Sequence, residues 1–393
     1  MEACVYPEDL EEWWGRQALN HFHLRDLKVA AQKLALQAGK LSDAFTTERS
    51  AKFAGCYETP LDWITYGNFF FPQTYARTQL ALSELTQFRG WKPAGNRPLK
   101  ILDVGGGSGA ALIAAVDTLA AQSENLNFEA TLLDQSELAL KYYRALSRDR
   151  RKRSLFKTTI QQASLAEPEK WQNTASKFDL ILVSFSLGEA FHEKPGTEVL
   201  AWLDRMEDLL EVGGILLILE PALKETSERL ERLRNHAAAT PSWHIWGPCL
   251  HRHHCPLLEG KKFWCHEVRH WQVPPMVNRI NTGLKRSVWD LKFSFLALGN
   301  TEPSRHYNGS EYLRLLSPVA KGHGRLLLSG CNAAGAHAEY DILKRHLSKE
   351  QTAKIETLER GDIISLGTLE TLGGTGQFRI VNPDQIQRVL LNS

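Results

Sequence analysis

The chain reads as an α/β protein built on a parallel, doubly wound sheet. A helical domain precedes the sheet, a Cys/His-rich insertion falls near its end, and a small β-rich module follows. Three observations predict this. Short apolar runs alternate with helical patterns from residue 100 to residue 239, the rhythm of strands joined by crossover helices. A glycine-rich turn, Gly105-Gly-Gly-Ser-Gly109, sits where the first run gives way to the first helix. Residues 178–185 (FDLILVSF) and 215–219 (ILLIL) are nearly unbroken apolar runs, as strands covered on both faces are.

The 393 residues and 44.4 kDa correspond to roughly two to three domains. A composition of 43% hydrophobic and 23% charged residues excludes wholesale disorder and collagen-like architecture. With 47 Lys+Arg against 45 Asp+Glu, any nucleic-acid footprint has to be local. The longest aliphatic stretch, residues 215–219, is far short of the ~20 residues a membrane helix needs. The acidic N-terminus has neither a signal-peptide nor a transit-peptide layout, so the expected location is cytoplasmic, away from membranes.

Along the chain, residues 1–90 form the expected helical domain. Leu10, Trp13, Trp14, Ala18 and Phe22 recur at helical steps, residues 24–41 are rich in good helix formers, and a further helix, 75–87, follows Phe69-Phe-Phe-Pro72. Residues 91–98, with two prolines and a glycine, read as a linker. The core, 98–240, carries expected strands at 100–104, 128–133, 155–160, 178–185 and 215–219. Its expected helices are 110–122, 136–149, 197–210 and 223–239. An insertion spans 241–286, and strands 292–298 and 325–329 are expected to return to the core sheet within 287–335. The C-terminal module, 336–393, is expected to hold a β-hairpin around Gly373-Gly-Thr-Gly376.

The glycine loop is the first candidate site. Glycines at a strand-to-helix turn let a ligand approach the helix N-terminus, whose free N–H groups favour polar or anionic groups. Asp103 lies in the strand end, and Asp134 closes the next strand, where an acid can accept ribose hydroxyls. A dinucleotide loop would need Gly-x-Gly-x-x-Gly, but its last position is Ala110. The Asp103-Val-Gly105-x-Gly107-x-Gly109 spacing instead resembles the first motif of class I S-adenosylmethionine-dependent methyltransferases. No catalytic residue is identified. Ser184-Phe-Ser-Leu-Gly-Glu189 stands where amino-group methyltransferases of nucleic acid carry Asn/Asp-Pro-Pro-aromatic, no Pro-Cys nucleophile follows the later strands, and Glu189 reads equally as a base or a helix-start acid.

The second candidate site is metal-binding. Cys249, Cys255 and Cys265 lie within seventeen residues, among His251, His253, His254 and His266, in a polar, proline-bounded stretch. Thiolates gathered in one loop call for a cation. The gaps of five and nine residues suit a zinc knuckle poorly. They suit an iron–sulfur cube with four Cys ligands better, Cys331 being the candidate fourth, while a Cys3His zinc site stands as the alternative.

At these residues the chain resembles a family: the methyltransferase-like assembly factors of the small ribosomal subunit, found in mitochondria and with bacterial relatives. The resemblance rests on Phe71-Pro-Gln-Thr-Tyr75, the Asp103–Gly109 loop, Ser186-Leu-Gly-Glu189, Glu220-Pro221, the cysteine cluster and Asp290-x-Lys-Phe-Ser-Phe295. It implies a 4Fe-4S cluster on Cys249, Cys255, Cys265 and Cys331, and an S-adenosylmethionine pocket around Asp103, Gly105, Gly107 and Gly109. The chain departs from the family pattern at Ala222-Leu-Lys224, at Leu250 and at Glu267.

Between residues 244 and 286, seven basic residues face two acidic ones, interleaved with Trp246, Phe263, Trp264 and Trp271. Arg252, Lys261, Lys262, Arg269, Lys285 and Arg286 are the expected RNA contacts, since cations beside stacking aromatics suit looped or single-stranded RNA. A second basic run, 148–153, reads as a solvated helix end. The resulting expectation is an RNA-binding factor for small-subunit assembly, monomeric when free, that docks on rRNA. A working rRNA methyltransferase and a NAD-linked redox protein are the alternatives.

Overall fold

The computed structural model describes residues 5–46, 57–93, 97–122, 126–150, 156–171, 176–192, 194–260, 263–284, 287–373 and 376–390. Helix α1 (Glu8–Phe22) opens with Glu8, Asp9 and Glu11 in its first turn, where acids suit the positive end of the helix dipole. It buries Leu10, Trp13, Trp14 and Ala18, the positions whose spacing announced it. After α2 (Leu27–Thr46), one unbroken helix runs from Pro60 to Phe88: α3 (Pro60–Thr65), a π turn (Tyr66–Phe70), α4 (Phe71–Ser83) and a second π turn (Glu84–Phe88). Thr59 and Asp62 start it with a reciprocal capping box. The sequence suggested an interruption at Pro72. The helix continues because the widened π turn lies just before the proline, where a regular turn would meet its ring and lack its N–H.

The core sheet contains β1 (Leu99–Val104), β2 (Phe128–Asp134), β3 (Phe156–Gln162), β4 (Phe178–Ser184), β5 (Leu210–Pro221), β6 (His244–Gly247), β7 (Glu267–His270) and β8 (Asp290–Gly299). Their order is β3-β2-β1-β4-β5-β8-β6, with β7 also on β8. The first five strands are parallel. β8 runs antiparallel between β5 and β6, so the sheet is mixed where a fully parallel one was expected. This is an α/β fold with helices on both faces of a mixed sheet. Alternate residues of the central strands feed two cores. On one face Ile101, Leu180, Leu182 and Leu217 pack under α4, α5 (Ala110–Gln122) and α6 (Glu137–Asp149). On the other, Leu102, Ile181, Val183 and Leu216 pack under α8 (Gly196–Glu207) and α9 (Lys224–Ala239). Between β4 and α8 lies the single turn of α7 (Leu187–Ala190).

The insertion is anchored at both ends on one strand. Gly247 of β6 pairs with Ala297 and Glu267 of β7 pairs with Phe293, so β6 and β7 lie end to end along the same edge of β8. Between them run the short helix α10 (Pro256–Gly260) and the cysteine-bearing loop, and α11 (Pro275–Asn281) follows to pack on α2 through Met276, Val277 and Ile280.

A second sheet holds β9 (Tyr312–Leu315), β10 (Ala320–Gly322), β11 (Arg325–Asn332), β12 (His337–Leu343), β13 (Ile363–Ser365), β14 (Leu369–Thr371), β15 (Gln377–Ile380) and β16 (Gln387–Leu390). Its order is β14-β15-β12-β11-β9-β13-β16, with β10 on β11, and α12 (Lys349–Glu356) lies beside it. The expected return of 325–329 to the core sheet is therefore corrected: β11 lies inside the second sheet, and the β-rich module begins at β9. The physical reason is one-sided burial. Leu326 and Leu328 are fully covered while Leu327 between them is 38% exposed, a pattern a doubly covered core strand does not show. The C-terminal hairpin forms between β14 and β15. No helix among the described residues is long and apolar enough to cross a membrane.

Candidate functional site

The glycine loop runs from β1 into α5. Gly105, Gly107 and Gly109 all have positive φ, and two of them have a packing reason as well. A Cβ on Gly109 would stand 2.3 Å from the Tyr143 ring, and one on Gly105 would stand 2.6 Å from Ser186. Asp134 accepts the Gly107 N–H at 2.8 Å through Oδ2 and the Ser136 N–H at 2.8 Å through Oδ1, so it braces the loop it was expected to serve from the side. Trp63 of α3 covers the loop at Gly107. Asp103 is fully buried and accepts the Leu112 N–H at 3.2 Å.

Four buried polar atoms on the strand ends, the glycine loop and the helix over them have no hydrogen-bond partner among the described residues: Asp103 Oδ1, Ser108 Oγ, Ser184 Oγ and Arg77 Nε. Arg77 also lies over the Phe185 ring at 5.1 Å, and burial pushes its guanidinium down to about 10. Phe185 itself has φ 61, a conformation that a bulky side chain adopts only when its surroundings enforce it. Glu189 is half-buried on α7, near enough for its charge to act on Tyr66. Unsatisfied donors and acceptors of this kind fit a polar ligand.

Burial, more than the nearby Asp134 charge, raises the Asp103 carboxyl to about 7. A raised folded-state value means folding favours the protonated acid, so the contribution is full below about pH 4 and is lost as pH rises toward 7. Asp103→Asn is therefore expected to match the wild type near pH 4 and to exceed it by about 2–4 kcal/mol at pH 8. Thermal melts across that range check this, and parallel pH curves for the two proteins would contradict it.

The four expected metal ligands line one cavity of ≈ 40 Å³, room for more than one water at roughly 10–15 Å³ each. Cys249, Cys255 and Cys265 come from the insertion and Cys331 from β11. All four are free thiols. Burial first, and then the proximity of the other three sulfurs, pushes Cys265 well above the ordinary thiol range. Burial likewise raises Cys331, and raises Cys255 to about 11. Leu250, Leu257, Phe295 and Leu316 complete an apolar wall. Among the described residues, no three His, Cys, Asp or Glu side chains are disposed to hold a metal ion as they stand. Cys4 and Cys56 lie outside the described residues.

One face of α9 positions the loop. Glu231 accepts the Cys265 N–H at 2.7 Å, and Asn235 accepts the Cys255 N–H at 2.8 Å. Arg234 donates to the His251 carbonyl at 2.7 Å and also to the His253 carbonyl. Ser227 meets Ser294 at 2.7 Å, and Ser294 in turn donates to the Cys265 carbonyl at 2.9 Å. Residues 227, 231, 234 and 235 follow the i, i+4, i+7, i+8 spacing of one helix stripe. Sequence reading missed them, although a polar stripe interleaved with Leu230 and Leu233 was the available signal.

Beside the thiols lies a buried ion-pair cluster. Arg314 of β9 meets Glu84 at 2.7 Å and Glu267 at 2.7 Å, and Arg269 meets Glu84 at 3.2 Å and Glu267 at 2.7 Å. All four side chains are 4% exposed or less. Two acids and two guanidiniums thus join the long 60–88 helix, β7 and the second sheet. Arg314 also pairs with Cys331 in the β9–β11 register, which brings that sulfur to the loop.

The family model for the mitochondrial small ribosomal subunit protein Rsm22 matches residues 60–364. This chain belongs to the Rsm22 family. The match takes in the long helix, the glycine loop, the cysteine loop and Cys331. None of the curated proteins compared with this Rsm22-family chain matches it. Two solved structures similar to it are an S-adenosylmethionine-dependent methyltransferase from Clostridium acetobutylicum and a Listeria monocytogenes protein assigned to the class I enzymes of that kind. The first has 15% identity over 37% of this chain and 50% of its own, with a TM-score of 0.28. The second has 11% identity over 76% and 90%, with a TM-score of 0.38.

In this Rsm22-family chain the expected RNA contacts separate into three groups. Arg269 is corrected: it is 2% exposed and held in the ion-pair cluster, so it belongs to the interior. Arg252 is exposed, but its guanidinium donates to the Ala238 and Thr240 carbonyls at 3.0 and 2.6 Å, at the C-terminal end of α9. Lys261, Lys262, Lys285 and Arg286 lie outside the described residues. Among the interleaved aromatics, Trp246 is core, whereas Phe263 is 56% exposed. In the second basic run Arg150 is likewise corrected from solvated to buried. It ties α6 to Asp117 at 2.7 Å and Asp9 at 3.1 Å.

Proposed function

We propose that this chain is an RNA-binding, methyltransferase-like factor of small ribosomal subunit assembly. It holds a 4Fe-4S cluster on Cys249, Cys255, Cys265 and Cys331 and S-adenosylmethionine at Asp103, Gly105, Gly107, Gly109 and Asp134. The observation that carries this reading is the meeting of four thiols, three from the insertion and one from the second sheet, in one apolar-walled cavity, in a member of a family named for the small ribosomal subunit. A cubane cluster takes four thiolates. Iron in place of the thiol protons would offset the cost of buried thiolate charge that makes these cysteines poor acids. The cluster's part is structural: it fastens the insertion to the second sheet and presents that face for docking on rRNA.

Anaerobic purification followed by iron and sulfide analysis tests the cluster, with visible absorption and iron in proportion to sulfide as the expected result. Stoichiometric zinc without a chromophore would replace it with a Cys3His site using His251 or His266 on the same wall.

S-adenosylmethionine, when bound, supplies an activated methyl group, a ribose and an ammonium. Asp103 Oδ1 is the unsatisfied acceptor suited to the ammonium. Its raised value gives the binding a sign: affinity measured by calorimetry is expected to tighten as pH rises from 6 to 8, because only the ionised acid pairs with a cation. A flat profile, or binding unchanged in Asp103→Ala, would count against this site. A second reading, a working rRNA methyltransferase, draws on the strained Phe185 between Ser184 and Ser186 at the end of β4. Transfer of labelled methyl groups to small-subunit RNA decides between docking factor and enzyme.

A further inference from the structure

A second cavity, of ≈ 250 Å³, lies behind the first, between β6, the histidine-rich residues after Cys249 and the 302–308 segment. It shares only Leu250 and His251 with the cysteine cavity. Arg89, His244, His253, Glu302, His306 and Tyr307 are in its wall. The decisive member is Arg89, at the end of the long helix and 5% exposed. Its Nη2 donates to the Ile245 carbonyl at 3.0 Å, while Nε and Nη1 are buried with no hydrogen-bond partner among the described residues.

A guanidinium is charged at any physiological pH and cannot discharge itself by losing a proton. Two buried donors of a charged group left unmade are costly. A planar fork of N–H groups is also the geometry that tetrahedral oxyanions bind best. The remaining wall adds Arg252 and histidine N–H donors, with Glu302 its one acid. His244 and His306 flank Glu302 at 3.9 and 3.8 Å, and Glu302, 67% exposed, stands at the rim where it can turn to water. Tyr307 of the wall is held by stacking on Phe88 at 4.6 Å. The volume exceeds one water's requirement more than tenfold, enough for a phosphate with part of its attached group.

We propose that this cavity is a phosphate-binding site, with the Arg89 guanidinium as its fixed charge and His244, His253 and His306 as the donors at its mouth. The site stands independently of the iron–sulfur and methyl-donor assignments. Two sources share this chemistry: the phosphodiesters of RNA and a free or nucleotide phosphate.

The full chain is titrated with inorganic phosphate, with adenosine monophosphate and with an RNA hexamer lacking terminal phosphates, all at matched ionic strength. Inorganic phosphate is expected to raise the melting temperature relative to chloride. Its affinity is expected to fall at least tenfold in Arg89→Met and to weaken measurably in His306→Ala, whose half-exposed side chain makes misfolding a poor explanation. Displacement of labelled phosphate by the hexamer assigns the site to the RNA backbone, whereas displacement by adenosine monophosphate alone assigns it to a free nucleotide. Absence of a phosphate-specific shift in the wild type, or shifts in both variants as large as the wild type's, overturns the site.

Discussion

Arg314→Met is expected to destabilise the folded chain by about 3–5 kcal/mol, because removing one partner from a buried ion-pair cluster leaves the opposite charges uncompensated. Glu84 and Glu267 would keep Arg269 as their ion-pair partner but lose the guanidinium that bridges them, in an interior where each is 3% exposed or less. The loss should also be local. Arg314 pairs with Cys331 across β9 and β11 and holds Glu267 at the end of the cysteine loop, so proteolysis should reach the 249–265 loop before the glycine-loop core. Urea unfolding followed by tryptophan fluorescence measures the first effect, and timed digestion the second. Adding Glu84→Gln should restore part of the stability, since it removes one of the stranded charges. A loss under 1 kcal/mol, or a double variant worse than the single by the full cost of each, would show that the cluster is not what joins the two sheets.

Cys331→Ser is expected to strip the iron from anaerobically purified protein and to loosen the second sheet, while substitution of Cys4 or Cys56 leaves iron unchanged. Among the four proposed ligands it alone sits outside the insertion. A cluster bound by the three loop cysteines would lack the corner that makes the closed site, and four ligands act as one unit. Full retention of iron in Cys331→Ser would remove this cysteine from the ligand set and with it the link between the sheets.

The core sheet was legible because its strands are apolar in the way doubly covered strands are. Residues 178–185 and 215–219 could hardly be anything else, and the glycine loop marked the turn between the first strand and helix. Residues 326–328 are three leucines in a row, yet the outward-facing Leu327 makes that stretch a one-sided strand, and nothing local says which sheet recruits it. The four cysteines were found by type and clustering. The groups that hold them were not. Arg269 and Glu84 are 185 residues apart in the chain, and Arg314 and Glu84 are 230 apart. No periodicity connects residues so distant, so a buried arginine such as Arg269 is read as a surface cation until its partners are seen.

The helix from Pro60 to Phe88 touches both candidate sites. Trp63 rests on the glycine loop near its start, while Glu84 enters the charged cluster near its end and Arg89 follows directly. At 1.5 Å per residue, the distance from Trp63 to Glu84 is roughly 30 Å. One helix therefore sets the spacing between the glycine loop and the buried ion pairs, and a shortening of it by even one residue would turn Glu84 away from Arg314 while Trp63 stayed in place.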